Sequence, residues 1–468
     1  MHNSAMGQPT DSNAANTLAA DRSVPAVPKR YDSGRMWKLC GVVLLACSGS
    51  VVAAPDDLPR EVLLLAHFKG RMRQVLSLVP NYTCLETIQR SVQYRHAKAF
   101  SPLDAVLLEV SNLEGKELLA WPGARRFEEE DVSSFASGGL MGSGVFASYA
   151  HTVFLQATTT IRYYGDEDIA GRTVARFDFH VPAIWSGYQI LANGASAKVG
   201  IIGSFWIDSA SLELVRMEVR SDEVPAELGI ERTVTLIDYA RMRIGNSDVL
   251  LPQAGRLLMT LLSGEVHRND IQFSHCHEYS AESSIRFDMP DTPAPAPAPP
   301  VRKMYLPEGL TVSVELETAI DSTTAHVGDL LRGRVTNDVR QKAKMIVPKG
   351  AMVTGRIRGL ERLRSPGPTF DLTIELAELE WENTSAEFYG ELLPKSAGQM
   401  ENLSLNTAIL SGGVGGVPLP HPAVTEEAPA PQIPGTGVLR MTGTRFHIPA
   451  GLRMNWRTLE PNKRRKSN

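Results

Sequence analysis

The side chains with the clearest chemistry to offer are the cysteines, of which the chain has four. Cys40 and Cys47 stand in an apolar stretch near the N-terminus, whereas Cys84 and Cys276 stand in the body of the chain. An even pair in an exported protein forms a disulfide by default. Cys276 also stands between two histidines, but neighbouring side chains of a strand point to opposite faces, which disfavours a metal chelate. We therefore predict a disulfide between Cys84 and Cys276.

No pattern typical of an enzyme is found in the sequence. It contains neither the His-Glu-x-x-His motif of zinc proteases nor the Gly-x-x-x-x-Gly-Lys loop that binds phosphates. Gly142–Ala147 fits a loose dinucleotide pattern, but the acidic run Glu128–Asp131 precedes it where a buried strand is required. Asp166–Asp168 lacks the ligand spacing of a calcium loop and is typical of an exposed turn. We therefore predict a non-enzymatic protein without cofactor or metal.

Composition indicates a folded chain and excludes one class of partner. The 468 residues favour two or three domains, and a hydrophobic fraction of 43% is ordinary for proteins that bury a core. The 48 Lys and Arg residues against 52 Asp and Glu residues give a net charge of -4. Nucleic-acid-binding proteins are commonly basic, so we expect no nucleic-acid partner.

The N-terminus has the features of an export signal. Residues 1–35 are polar, and the basic segment Arg35–Lys38 precedes the apolar stretch Leu39–Ala54. This order is typical of a secretory signal peptide. The apolar stretch is shorter than the roughly 20 residues of a spanning helix, and an uncleaved anchor is the alternative. We therefore predict that residues 1–54 are an extension plus signal peptide, and that any membrane association comes from an N-terminal anchor.

The export signal leaves two routes for processing. Leu44–Cys47 resembles a bacterial lipobox, in which Cys47 is acylated after cleavage. Ordinary cleavage near Ala53 or Ala54 is the alternative. Both place the mature protein in the periplasm or at the outer membrane.

Residues 55–290 are predicted to form one mainly β domain of the α+β class. Apolar residues recur at helical spacing over residues 58–79, which predicts an N-terminal helix. From Tyr82 to Phe287 the dominant period is two, as in Ala175–Val181, which predicts antiparallel strands with one buried face. Gly144–Ala157 is the exception and favours a second short helix.

A proline- and alanine-rich run, residues 291–303, predicts an extended tether between two domains. The alternating pattern returns over residues 304–460. An aliphatic-Pro-x-Gly motif begins at Leu306, Val347 and Ile448, and Pro and Gly suit a tight turn that begins a strand. We therefore predict a small β-barrel domain after the tether.

Two segments of this second region differ from the strands. Residues 394–437 are rich in glycine and proline and predict a long mobile loop. Residues 461–468 form a basic tail that we expect to be solvated.

Two hairpin motifs in the first domain carry a family resemblance. Trp206 and Asp208 precede a turn, and Arg216 opens an Arg-x-Glu strand after it. Upstream, Gly165 and Gly171 frame a hairpin that ends in Gly-Arg. Together the motifs resemble the lipoprotein-localisation carrier superfamily, which includes periplasmic lipoprotein carriers and lipid-sensing envelope regulators. The resemblance implies a curved antiparallel half-barrel with helices across its concave side and a cavity for acyl chains.

Two further resemblances are less informative about activity. Asn81–Ile88 resembles uncharacterised secreted proteins of acidobacteria. Val347–Gly350 and Ala319–Ser322 resemble the β-barrel of the outer-membrane core subunit of conjugative secretion systems, which implies an assembly or envelope-contact module.

These observations predict a non-enzymatic exported envelope protein whose first domain binds lipid or the acyl chains of a lipoprotein in a concave apolar sheet. The alternative is an envelope scaffold or assembly protein, which binds a protein partner or peptidoglycan and fills the concave sheet with its own side chains.

Overall fold

The computed structural model describes residues 58–113, 116–124, 135, 146–192, 195–279, 302–363, 367–393 and 433–460. The predicted export signal with Cys47, most of the tether, the basic tail and most of the predicted loop at 394–437 lie outside the described residues. Everything described below belongs to one compact unit, Leu58–Asn468.

Three α-helices occur in the described residues: α1 (Arg60–Leu78), α2 (Phe146–Leu155) and α3 (Ala183–Ser186). Pro59 precedes α1, and its φ of -53° suits the start of a helix, where the missing N–H is not needed. The chain turns extended again at Val79, before Pro80. The helices predicted over 58–79 and within 144–157 are confirmed.

Ten antiparallel strands form the first sheet. They are β1 (Tyr82–Gln93), β2 (Ser101–Leu113), β3 (Lys116–Ala120), β4 (Thr160–Ile169), β5 (Arg172–Val181), β8 (Gly200–Asp208), β9 (Leu214–Asp222), β10 (Ile230–Ile244), β11 (Ser247–Leu261) and β12 (Val266–Glu278). Their order is β3-β2-β1-β12-β11-β10-β9-β8-β5-β4. A separate hairpin, β6 (Gln189–Ala192) and β7 (Ala195–Lys198), lies outside this sheet.

The first sheet is the curled antiparallel half-barrel that the sequence predicts. Alternate side chains of its strands face one core: Phe177 and Phe179 of β5 are buried, while Asp178 between them is not. Because strand side chains alternate between faces, this pattern buries one side of β5. The buried side faces α1 and α2, whose Phe68 and Phe154 belong to the same core.

The second sheet contains most of the remaining strands. The strands after residue 300 are β13 (Arg302–Tyr305), β14 (Thr311–Leu316), β15 (Ile320–Asp321), β16 (Leu330–Val335), β17 (Val339–Gln341), β18 (Lys344–Val347), β19 (Met352–Leu363), β20 (Thr369–Trp381), β21 (Thr384–Glu387), β22 (Gly390–Leu392), β23 (Thr436–Thr442), β24 (His447–Ile448) and β25 (Arg453–Thr458). The order in the sheet is β13-β21-β20-β19-β16-β14-β25-β22, with β23 paired to β20.

The second sheet bends back on itself. Its path from β20 leads to β22, and Leu392 of β22 packs against Gly437 of β23, which pairs with β20 again. Full closure as a barrel stays a prediction. β23 begins at Thr436, one residue before the predicted end of the loop.

The repeated Pro-x-Gly motif does what its residue types predict. Gly309, Gly350 and Gly451 have φ values of 80°, 88° and 97°, which only glycine adopts readily. Each glycine ends a turn, and β14, β19 and β25 begin two residues after it. The three copies therefore begin three strands of one sheet.

Backbone hydrogen bonds join the two sheets. β3 pairs only with the last part of β2, from Glu109 onward, so the earlier part of β2 has a free edge on that side. Val327, between β15 and β16, pairs with this edge. Its N–H donates to the carbonyl of Ala105 at 2.8 Å, and its carbonyl accepts from the N–H of Leu107 at 2.8 Å. The two β regions are therefore in direct contact, in addition to being linked by residues 291–303.

Candidate functional site

The core-facing side of the first sheet has an aromatic half. Phe177 and Phe205 are directly paired across β5 and β8, and their rings stack at 5.4 Å. Phe68 of α1 stacks on Phe205 at 5.7 Å, and Phe154 of α2 meets both Phe68 and Phe205 edge-on at 5.0 Å. All four side chains are at most 1% exposed. In this structure the aromatic half is therefore covered by the protein's own helices.

The same side of the sheet has a polar half, on β1 to β3. Glu86 of β1 is fully buried, between the inward positions of Cys84 and Ile88. Burial and the nearby charge of Glu86 raise the pKa of Glu117 on β3 well above the ordinary value. A raised pKa favours the protonated form, and a protonated carboxyl donates a hydrogen bond as well as accepting one. Perturbed carboxyl groups of this kind are typical of functional sites.

Tyrosines surround the two carboxyl groups. Burial, followed by the charge of Glu117, raises the pKa of Tyr82. Burial also raises the pKa of Tyr239 and of Tyr149. Tyr149 belongs to α2, and its ring lies 5.5 Å from that of Tyr188. The hydroxyl of Tyr239 and the amide oxygen of Asn112 are buried without a hydrogen-bond partner among the described residues. The polar half therefore offers hydroxyl and carboxyl groups away from bulk water.

The disulfide lies at the margin of this polar half. Cys84 of β1 is bonded to Cys276 of β12, which are neighbouring strands, as the sequence predicts. Cys84 stands two residues before Glu86 on the same side of β1. The bond therefore fixes β1, which carries Glu86, to the neighbouring strand β12.

The motif residues Trp206, Asp208 and Arg216 lie on the other side of the sheet. Trp206 and Arg216 are directly paired across β8 and β9, and Trp206 donates its Nε1–H to Glu167 at 2.7 Å. Arg216 donates to Asp238 at 2.6 Å. Asp208 accepts from two N–H groups in the β8–β9 turn, and these bonds lower its pKa. These side chains hold hairpins and do not reach the aromatic half.

The two motif glycines lie in the β4–β5 hairpin. Gly171 has a φ of 79° in the turn, and its N–H donates to Asp168 at 2.9 Å. Gly165 lies at the irregularity in the pairing of β4 with β5. Neither glycine contacts the polar half. The polar half itself was not predicted from the sequence. A glutamate at an inward position of a strand, as at 86, is the signal that could have revealed it.

A further group of possible metal ligands was also missed. His180, Asp222 and Glu223 bring one ligand atom each within 4.8 Å of one another. His180 and Asp222 lie on the strands β5 and β9, and their side chains are 46% and 39% exposed.

No described helix is long and apolar enough to cross a membrane.

No family model and no curated protein matches the chain. Solved structures that resemble it include a domain of an outer membrane lipoprotein-sorting protein from Vibrio parahaemolyticus, at 12% identity and a TM-score of 0.24, covering 47% of this chain and 93% of that one. Another is a LolA superfamily protein from Nitrosomonas europaea, at 9% identity and a TM-score of 0.24, covering 47% of this chain and 94% of that one.

A third is the Mycobacterium tuberculosis lipoprotein LppX, at 12% identity and a TM-score of 0.20, covering 47% of this chain and 98% of that one. Likenesses of this size say nothing about what this chain binds. The resemblance of the second β region to a secretion-system subunit stays a prediction.

Proposed function

We propose that this protein is a non-enzymatic, exported envelope protein whose first sheet binds lipid or the acyl chains of a lipoprotein. The observation that carries the proposal is the aromatic half of the sheet, which Phe68 of α1 and Phe154 of α2 cover. Acyl chains take the place of Phe68 and Phe154 on the paired rings of Phe177 and Phe205. Each methylene that leaves water contributes about 0.8 kcal/mol.

The polar half gives the opposite end of such a ligand a place to bind. An ester or carboxyl group at the end of an acyl chain accepts hydrogen bonds from tyrosine hydroxyls and from a protonated carboxyl. Tyr82, Tyr239 and Glu117 offer these donors next to the apolar face. A ligand with an apolar tail and an uncharged polar end therefore matches both halves.

Export and the second region complete the proposal. Residues 1–54 direct the chain to the periplasm or the outer membrane, where Cys47 is acylated if the lipobox is processed. The disulfide between Cys84 and Cys276 fits an oxidising compartment. Residues 304–460 form a small β-barrel domain that contacts other envelope components.

The test is lipid uptake by the delipidated mature protein. We expect saturable binding of a dansyl-labelled fatty acid, and a lipid in the organic extract of natively purified protein. Phe154→Ala loosens α2 and raises the fraction of molecules with an open face, so the apparent Kd falls. Phe446→Ala, which removes a buried ring that packs on Phe370 of the second sheet, is the matched control and leaves the Kd unchanged.

An empty extract, together with no dansyl binding by folded wild-type and Phe154→Ala protein, would refute lipid binding. That outcome would favour the second candidate, an envelope scaffold. The observation behind the scaffold is that Phe68 and Phe154 already fill the aromatic face. The test of the scaffold is co-sedimentation of the mature protein with purified peptidoglycan. If all of the protein stays in the supernatant, peptidoglycan is excluded as the partner.

A further inference from the structure

We propose that a cleft between the two sheets is a binding site for a small organic anion that carries a carboxylate or a phosphate. The cleft has a volume of about 270 Å³. β1, β2 and β12 line it on one side, and residues 322–326 with β19 and β20 line it on the other. Neither the family resemblance nor the proposed lipid site involves these residues. Contacts between β structures of two regions are common places for ligand sites.

The floor of the cleft is a buried ion pair. Arg90 donates its Nε–H to Asp104 at 2.6 Å, and the two side chains are 2% and 3% exposed. Asp104 therefore balances the charge of Arg90 within the protein. A pair buried this deeply fixes the strands β1 and β2 that form one wall.

Two further guanidinium groups line the cleft, one on each side. Arg268 of β12 donates to Ser91 at 3.1 Å, lies 3.1 Å from Asp270, and packs over the ring of Phe100 at 4.2 Å. Arg362 of β19 packs over the ring of Phe370 at 4.9 Å. Stacking on a ring restricts each guanidinium before a ligand arrives, so less entropy is lost on binding.

Guanidinium groups outnumber carboxylates among the residues that line the cleft, and their donor geometry suits an anion. Three arginines (Arg90, Arg268 and Arg362) stand against two aspartates, Asp104 and Asp270. Asp270 is shared with Arg256, which lies outside the lining, at 2.5 Å. A hydrogen bond to Asp329 raises the pKa of His326, and the carboxylate of Asp329 balances the charge that the imidazole gains. Planar guanidinium groups bind carboxylate and phosphate oxygens in pairs.

The rest of the lining defines the other end of the ligand. Leu103, Leu360 and the ring of Phe370 form an apolar wall, and Ser322 and Thr323 place hydroxyl groups at its border. The volume is at the lower end for ligand pockets, which excludes a long acyl chain. The ligand is therefore a compact molecule with one anionic group and a small apolar body.

The experiment is calorimetric titration of the mature protein with benzoate, with phenyl phosphate and with uncharged benzamide. We expect saturable binding of at least one anion that weakens with added salt, and none of benzamide. The anion that binds more tightly identifies the carboxylate or the phosphate source. Arg362→Gln weakens binding at least tenfold. Arg334→Gln is the matched control, because Arg334 is an exposed arginine of the same sheet that pairs with Glu317 outside the cleft.

A second variant keeps the test independent of charge removal. Ala325→Leu narrows the cleft without changing any ionic group, and we expect it to reduce anion binding while the thermal unfolding temperature stays near that of wild type. The proposal is overturned if neither anion binds the folded protein. It is equally overturned if Arg362→Gln and Ala325→Leu bind the anion as tightly as Arg334→Gln does. Uptake of dansyl-labelled fatty acid reports on the other site, so failure of one proposal is distinguishable from failure of the other.

Discussion

Replacing Phe68 by alanine should cost the fold several kcal/mol, because this ring joins α1 to the sheet. The side chain is 0% exposed, and it contacts Phe154 at 5.0 Å and Phe205 at 5.7 Å. Truncating a buried phenylalanine to alanine typically costs about 3–5 kcal/mol, from lost burial and the cavity left behind. Each ring pair adds about 0.5–1.5 kcal/mol beyond its buried area. We therefore expect a loss in the upper half of the range, about 4–5 kcal/mol.

The measurement is the free energy of unfolding in urea, followed by circular dichroism with the disulfide intact. Leu78→Ala is the matched control in the same helix, because Leu78 is 74% exposed and its truncation should change stability by no more than about 0.5 kcal/mol. A loss below about 1.5 kcal/mol for Phe68→Ala would refute the reasoning. It would mean that α1 does not rest on the aromatic half in solution.

Three further predictions follow from buried groups. The pKa of Glu117 is raised in the folded state, so its contribution to stability is present at low pH. This contribution is lost as the pH rises from the unfolded-state pKa of 4.5 through the folded-state pKa. The slope is up to about 1.4 kcal/mol per pH unit. Glu117→Gln should remove this slope and raise the neutral-pH melting temperature; an unchanged pH profile contradicts the assignment. Cys84 and Cys276 close a loop with a sequence separation of 192 residues. Replacing both by serine should lower the free energy of unfolding in urea by up to about 5 kcal/mol. A loss of stability near zero would argue against the bond. Asp104→Ala leaves the charge of Arg90 buried and should cost about 3–5 kcal/mol. Asp168→Ala, at the exposed end of β4, serves as the control. Equal losses of stability would contradict the burial of the pair.

Strands such as β5 and β9 were predictable because alternate residues bury one face. The alternation of Ala175, Phe177 and Phe179 with polar residues is a local pattern, and so are the Pro-x-Gly turns. Local patterns survive folding when the sheet has one apolar side. The antiparallel strands, the two helices and the pairing of the two cysteines could therefore be inferred without coordinates. The half-barrel was expected only because the two hairpin motifs resemble a known superfamily.

The polar half and the contact between the sheets could not be predicted, because both depend on pairing between distant segments. Glu86 and Glu117 lie on β1 and β3, and β2 lies between these two strands. Val327 reaches β2 only because β3 is five residues long and leaves part of that edge free. No local sequence pattern predicts the length of β3 or the register of its pairing with β2.

The two halves of the concave side differ in how firmly they are held, and this difference supports uptake of a ligand. The disulfide fixes β1 to β12 beside Glu86, so the polar half keeps its shape. The cover over the aromatic half rests on packing of Phe68 and Phe154 and on two ion pairs of α1, Arg60 with Asp166 at 3.3 Å and Arg71 with Glu213 at 3.9 Å. Exposed ion pairs contribute about 0–1 kcal/mol each. The buried rings of Phe68 and Phe154 are therefore the main contacts that hold α1 and α2 on the sheet. An acyl chain offers the sheet the same kind of apolar contact as those rings, and exchange of one for the other leaves the cross-linked strands in place.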